Sequence, residues 1–464
     1  MMSKSDAKKR SESRWNTDES YDRYKSPRWR PVMLLAAGLV LVLAFGLDTY
    51  QPHILLLSMI PSSLLSLDQR VDKIMSLAPL MDGHNDLAER VRFHFHNHIY
   101  SRDFRSKFEN GGMPEHFDLP RMISGRQGGF FWSCWVDCPK DGFNFSNENY
   151  APVVIEALAQ MDVIHRLQAA HPDLFSPAAL DSTSALSAFR RRGKLLSPIG
   201  LEGLHMVGRN ASTLRLFHRL GVKYATLTWN CHNPFADAAQ VTVLDDSLDA
   251  EAARPAKPHW GGLSVLGTQL IREMNRLGMI VDLSHTHPAT MHDVLAGNAT
   301  KAFSGSRAPV IFSHSSAHAL CPHPRNVPDH ILPLVKQRDS VVMVTFVPQF
   351  ISCVNATVPE RLPTFYPANS TLEWVAEHIM YIGNKIGFEH VGIGSDFDGI
   401  PSTPRGLEDV SKFPALVKEL LRRGLSDQQV TGIIGRNLLR VWKRVEEVST
   451  EMLREGVLPM EDDV

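Results

Sequence analysis

No Cys-x-x-Cys pair occurs in the 464-residue chain, which argues against a thiolate zinc knuckle. No glycine-rich loop of the phosphate-cradling kind is present, and no motif repeats at a fixed period, so nucleotide-binding and solenoid architectures find no support. An excess of either charge is also missing: 49 Lys and Arg stand against 50 Asp and Glu, a net charge of −1, and no nucleic-acid partner is implied. Low-complexity sequence is confined to the tails. What remains is an ordinary globular composition, 43% hydrophobic and 21% charged, with ample material for a large core and a noticeable 21 histidines.

Eight short apolar runs carry the organisation. Strands are expected near 79–84, 128–136, 196–202, 223–229, 278–284, 309–313, 340–346 and 390–395, separated by amphipathic stretches at Val153–Ala169, Ser212–Leu220, Leu266–Leu277, Thr290–Leu295, Leu372–Ile386 and Pro414–Arg423. Alternating β and α units over residues 73–448 fit a (β/α)₈ TIM barrel with insertions, of the metal-dependent hydrolase type. A doubly wound open sheet is the alternative, but it would not bring the ends of strands 1, 3, 5, 6 and 8 together. The acidic, alanine-rich and proline-punctuated stretch Asp237–Pro258 reads as a long loop after strand 4.

The flanks are of another kind. Residues 1–30 hold nine Lys/Arg against five Asp/Glu and read as a disordered cytosolic tail. Residues 31–47 are uncharged and apolar, short for a span but long enough for a transmembrane signal anchor, with a cleaved signal peptide as the competing reading. The anchor reading makes a single-pass membrane protein with its N-terminus in the cytosol and its barrel lumenal or extracellular. Residues 48–72 form a linker or a first helix under the barrel, and 449–464 an acidic tail, expected to fray. Sequons at Asn144, Asn210, Asn298, Asn355 and Asn369 all follow the apolar segment, as glycosylation outside the cytosol requires. Five cysteines, Cys134, Cys138, Cys231, Cys321 and Cys353, are consistent with two disulfides and one thiol in an oxidising compartment.

The chemistry sits where the runs end. His84 and Asp86 are one residue apart, so in extended chain both side chains face the same way and can grip one ion. Taken alone, that His-x-Asp is a loop histidine. His285 and His314 each follow a β run directly; two such residues on consecutive strands point to a second ion. Glu202 closes Gly200-Leu201-Glu202-Gly203, where a buried carboxylate is costly unless paired or metal-bound. Shared between two ions roughly 3.5–4 Å apart, it would flank a bridging hydroxide made from water whose pKa falls from about 15.7 towards about 7. Asp396 after strand 8 is placed to move protons, with Asp398 as its competitor. His and carboxylate ligands suit zinc, two per chain, although manganese or cobalt would fit.

The words Met81-Asp82-Gly83-His84-Asn85-Asp86-Leu87, Ile199-Gly200-Leu201-Glu202-Gly203, Ile280-Val281-Asp282-Leu283-Ser284-His285, Val310-Ile311-Phe312-Ser313-His314, Arg325-Asn326-Val327-Pro328-Asp329 and Gly394-Ser395-Asp396-Phe397-Asp398-Gly399, in that order, resemble the membrane dipeptidases, the renal-dipeptidase group of zinc peptidases. The resemblance runs from about residue 73 to 448. It implies hydrolysis of dipeptides, one zinc on His84 and Asp86, the other on His285 and His314, and Glu202 bridging both. It also implies that Arg325 receives the substrate carboxylate, that Asp396 holds the amine and passes protons, and that the disulfides join Cys138 to Cys231 and Cys321 to Cys353. A homodimer is a further implication.

Three departures qualify it. Active members carry a histidine after the strand-4 Thr-Leu-Thr, whereas Trp229 follows Thr226-Leu227-Thr228 here; an indole donates one hydrogen bond and carries no proton. His232 is the nearest substitute, read as a loop residue. Many animal members are lipid-anchored at the C-terminus, whereas this chain has an N-terminal apolar segment and an acidic end, and no counterpart is found of the cysteine with which those members cross-link subunits. Trp229 motivates a rival reading, a catalytically weak, metal-stabilised binding or adaptor protein. Barrel hydrolases that bridge metals with a modified lysine after strand 4 are a further rival, but the nearest lysine, Lys223, begins that strand.

Overall fold

The computed structural model of the chain describes residues 60–462, apart from 246–249, 357 and 359. The tail 1–30 and the apolar segment 31–47 lie outside those residues, and so does 48–59 of the stretch 48–72. Among the described residues no helix is long and apolar enough to cross a membrane.

Eight parallel strands close into one barrel: β1 (Leu80–Asn85), β2 (Gln127–Cys134), β3 (Ile199–Glu202), β4 (Val222–Thr226), β5 (Ile280–Asp282), β6 (Ile311–Phe312), β7 (Val341–Val344) and β8 (Val391–Ile393). Each pairs with its sequence neighbour, and β8 returns to β1 in the register Asp82 to Ile393. These are the eight apolar runs of the sequence. Buried on both faces, parallel strands read as continuous valine- and isoleucine-rich stretches. Helices Ala211–Arg219, Val265–Leu277, Pro288–Ala296, Leu372–Ile386 and Phe413–Arg422 lie close to the expected boundaries, whereas Asn147–Ala170 begins well before Val153 and carries Pro152 inside it.

Met81, Phe131, Tyr224, Ile280, Ile311, Val341 and Met343 fill the barrel interior together with Leu438, Val441 and Trp442 of the last helix, Asn437–Arg454. A Cβ on Gly435, just before that helix, would lie 2.2 Å from the Pro79 carbonyl oxygen at the start of β1. The chain therefore seals the N-terminal mouth with its own C-terminal segment. Only the opposite mouth is left for chemistry.

Two stretches differ from their sequence reading. Gln240–Asp245 and Ala250–Pro255 pair as an antiparallel hairpin where 237–258 reads as loop. Alanine and proline are poor strand formers in isolation, and only the pairing of the two arms stabilises the ladder. The stretch 449–464 continues the last helix to Arg454; Asp462 then accepts the Ala211 and Ser212 amides, capping a helix whose Asn210 makes no side-chain cap. Of the two readings of 48–72, the described part agrees with a first helix: Leu67–Leu77 is helical, opened by a reciprocal Ser66 and Gln69 cap, with Val71, Ile74 and Met75 buried.

Cys138 is bonded to Cys231 and Cys321 to Cys353, while Cys134 is a buried free thiol. Of the sequon asparagines, Asn144 and Asn355 are exposed; Asn298 donates its amide to Asp293, and Asn210 to Asn147.

Candidate metal and substrate site

Two aspartates set the frame of the open mouth. Asp82 on β1 accepts the backbone amide of Ser395 at 2.7 Å and its hydroxyl, tying β1 to the end of β8. Asp282 on β5 does the same for the Ser313 amide and hydroxyl (2.8 and 2.6 Å) and also accepts Thr226 Oγ1 at 2.6 Å. Glycine is required between these ties: a Cβ on Gly83 or Gly394 would lie 2.5 or 1.7 Å from the Ser313 carbonyl oxygen. Just past the strands, His285 and Asp396 both take left-handed backbone, each with φ near 66°. Non-glycine residues seldom adopt it, and here it turns both side chains sharply off their strand ends.

The five residues singled out as metal ligands meet. His84 Nε2 lies 3.2 Å from Asp86 Oδ2 and 3.2 Å from Glu202 Oε2. His285 Nε2 lies 3.0 Å from Glu202 Oε1, His314 Nε2 3.6 Å from the same oxygen, and the two imidazole nitrogens are 3.0 Å apart. Two ligand groups thus share Glu202, one oxygen turned to each.

Hydrogen bonding from behind decides what these nitrogens present. Tyr224 Oη donates to the Gly83 carbonyl, so it accepts from His84 Nδ1 at 2.8 Å. Ser313 Oγ donates to Asp282 and accepts from His314 Nδ1 at 2.8 Å. Asn230 Oδ1 accepts from His285 Nδ1 at 3.0 Å and from Gln240 Nε2. Each ring therefore keeps its proton on Nδ1 and aims a bare Nε2 inward. Three nitrogen lone pairs and the carboxylate oxygens of Asp86 and Glu202 then face one another across little more than 3 Å. That arrangement is repulsive unless a cation stands among them, and Asp86 Oδ1 is a further buried oxygen without a partner. A donor set of imidazole and carboxylate fits zinc.

For His285 and His314 the electrostatics agree. Burial, followed by the positive charge of Arg325, pushes His285 down to about 3, and burial with His84 holds His314 well below the ordinary value. Burial opposes the charge of Glu202, yet His84 and His285 hold it well below the carboxylate range. His84 differs: burial opposes its imidazolium, but Tyr224, Glu202 and Asp86 raise it well above the ordinary value. A proton and a metal ion therefore compete for the same Nε2.

A cavity of about 190 Å³ opens on this cluster, lined by Asp86, Glu202 and His285 together with Arg325 and Asp396. Arg325 is 1% exposed, lies over the Phe350 ring at 5.2 Å, and makes only long contacts of 3.5 Å to Ser315 Oγ and the His314 carbonyl. Its Nε has no partner, and burial lowers it to about 10, with Asp396 the first acid to compensate it. A buried guanidinium so poorly matched calls for an anion. Burial, reinforced by Asp86 and Glu202, raises Asp396 well above the ordinary carboxylate. Asp398, its sequence competitor, accepts the His116 amide at 2.8 Å and does not line the cavity.

Trp229 also lines the cavity, edge-on to Trp135 at 5.0 Å, and the Cys138–Cys231 bond ties together the two loops that carry them. His232 does not take its place: Nδ1 accepts the Ala238 amide and lies 3.1 Å from Asp237, away from the cavity lining. Sequence reasoning missed Tyr224, Ser133, Asn230 and Gln240. Ser133, which donates to Glu202 at 3.1 Å, and Tyr224 were flagged by nothing but polar groups inside apolar strands. Asn230 and Gln240 lie in an insertion with no periodicity, and no local pattern announces them.

Comparison with known proteins gives a consistent picture. Residues 68–455 match the family described as membrane dipeptidase, peptidase family M19. The chain is 42% identical over 394 residues to the dipeptidase aclJ of Aspergillus oryzae, covering 85% of this chain and 84% of that protein. It is 40% identical over 401 residues to the uncharacterized dipeptidase C3A11.10c of Schizosaccharomyces pombe, covering 85% and 88%. Two solved structures share the fold. One is a metallo peptidase from Rhodobacter sphaeroides liganded with a phosphinate mimic of the dipeptide L-Ala-D-Ala (24% identity, TM-score 0.63, covering 79% of this chain and 99% of that one). The other is the probable dipeptidase PvdM from Pseudomonas aeruginosa (21%, TM-score 0.66, covering 82% and 99%).

Proposed function

The chain belongs to the membrane dipeptidase family, peptidase family M19, and from that premise we propose that it hydrolyses dipeptides at a pair of zinc ions. The observation that carries the reading is Glu202, which turns one oxygen to His84 and the other to His285 and His314. His84 and Asp86 would hold one ion, His285 and His314 the other, with Glu202 common to both. Bound there, zinc supplies electrophilic polarisation and water activated by a fall in pKa from about 15.7 towards about 7.

The remaining groups fit the two ends of a dipeptide. Arg325 receives the terminal carboxylate, its unpartnered Nε and loosely held amino groups gaining the charged acceptor they lack. Asp396, on the cavity wall with an elevated proton affinity, holds the substrate amine and returns a proton to the leaving nitrogen. Two disulfides support a barrel working in the lumenal or extracellular space.

Elemental analysis and a dipeptide assay of the purified protein, with and without chelator, test this. The expected result is two zinc ions per chain, hydrolysis lost on chelation and restored by zinc. Turnover by metal-stripped protein would sink the proposal; two bound ions without turnover would favour the adaptor reading.

Trp229 sets a second expectation. It lines the cavity at the position where the resemblance implies a histidine that serves the developing oxyanion, so Trp229→His is expected to raise kcat by about tenfold to a hundredfold, part of the value of one oxyanion donor. An unchanged rate would show that this position does not limit the chemistry.

A further inference from the structure

Among the described residues, four buried polar atoms on side chains that line the cavity have no hydrogen-bond partner: Asp86 Oδ1, Arg325 Nε, Trp135 Nε1 and Gln240 Oε1. Metal binding and the substrate carboxylate account for the first two. Trp135 and Gln240 have no task in hydrolysis at two zinc ions. Gln240 is fixed by its other end, where Nε2 donates at 3.0 Å to Asn230 Oδ1, the acceptor of the His285 Nδ1 proton. Only the amide nitrogen can face that oxygen, so Oε1 is turned elsewhere. Trp135 is fixed by its edge-on contact with Trp229, the residue before Asn230. One unmet donor and one unmet acceptor thus stand beside the same short segment.

Strand order places this wall. Trp135 directly follows β2, and Trp229 and Asn230 follow β4. Arg325 is held beside His314 and Ser315, just past β6, and Asp396 follows β8 with its amide on the His84 carbonyl. In the closed order of eight strands β2 lies opposite β6, and β4 opposite β8. A dipeptide with its carboxylate at Arg325 and its amine at Asp396 therefore has Trp135 and Gln240 across the cavity from its charged ends, within the span of a side chain. Neither residue belongs to the five metal ligands and neither carries charge, so occupation of the metal site leaves both atoms unmet.

Resting on the dipeptide reading, we infer that Trp135 and Gln240 form a side-chain subsite for a primary carboxamide, so that dipeptides containing asparagine or glutamine are favoured. A carboxamide carries an acceptor oxygen and a donor NH₂ on one carbon. Its oxygen accepts from Trp135 Nε1, and its NH₂ donates to Gln240 Oε1. An apolar side chain of the same shape leaves both buried groups without partners, which is the stronger source of discrimination.

The test compares kcat/KM for asparagine against leucine and for glutamine against methionine, pairs of similar size, each placed before or after alanine in a dipeptide. The zinc-loaded wild type should prefer the carboxamide by about tenfold or more in at least one pair, the joint scale of two neutral hydrogen bonds. Trp135→Phe keeps a ring against Trp229 and removes the N–H; Gln240→Met keeps the length and removes the acceptor. Each should cut that ratio by about threefold or more. A general structural defect, including loss of the Gln240 bond to Asn230, would lower both rates of a pair and leave their ratio alone. No carboxamide preference in the wild type, or an unchanged ratio in either variant, overturns the inference while dipeptide hydrolysis stands. No turnover of any of these peptides by the wild type overturns both.

Discussion

Glu202→Gln is expected to cut kcat/KM by at least about a thousandfold and to lower the metal content below two ions per chain. The carboxylate offers one oxygen to each imidazole group, at 3.2 Å from His84 Nε2 and 3.0 Å from His285 Nε2. An amide of the same shape offers one neutral oxygen, and its NH₂ must face one of those two nitrogens. One ligand group then loses its charge and gains a donor where a cation belongs. The Ser133 hydroxyl bond can still form, so the change acts on the cluster more than on the fold. A thermal readout separates the effects. Zinc at about 100 times Kd should stabilise the wild type by about 2.7 kcal/mol. The variant should show a smaller shift from an unchanged metal-free melting temperature. A variant retaining both ions and wild-type turnover would remove Glu202 from the centre of the site.

Asp396→Asn should leave both ions in place and lower kcat by about 10²- to 10⁴-fold, the usual worth of a positioned proton-transfer group. Asparagine tolerates the left-handed backbone that Asp396 adopts and nearly matches its volume, so a folding defect is not expected. What disappears is a titratable group on the cavity wall. Burial and the neighbouring Asp86 and Glu202 raise its proton affinity above the ordinary carboxylate. The limb of the pH–rate profile that reports this group should vanish in the variant, with KM changed less than kcat. A larger kcat loss in Asp398→Asn would reverse the assignment, against the bond that turns Asp398 to the His116 amide.

The two changes probe different kinds of legibility. His84, Asp86, His285 and His314 could be read from the chain because each closes or follows an apolar run, and the mouth of a parallel barrel gathers such ends. The Asp396 and Asp398 pair could not be separated that way. Two residues apart after the same strand, they are equivalent in sequence; a positive φ at each and a pair of hydrogen bonds between Asp398 and His116 send one to the cavity and the other into the wall. The hairpin at 240–255 was illegible for a related reason. Its stability comes from cross-strand pairing, and Gln240 reaches the site only because that pairing forms.

The sequence by itself determined the eight strands, their closure and the residue types at the strand ends, because hydrophobic periodicity is local and a strand's side-chain direction follows from its parity. Only the tertiary structure decided which nitrogen of each histidine is free, that Arg325 is a buried cation without a close counter-ion, that His232 is turned away from the cavity that Trp229 lines, and that Glu89 lines the same cavity as Asp86 and Glu202. Most of these depend on a partner distant along the chain, Tyr224 for His84 and Asn230 for His285 among them, and hydrogen bonding and burial between such partners exist only once the barrel has closed.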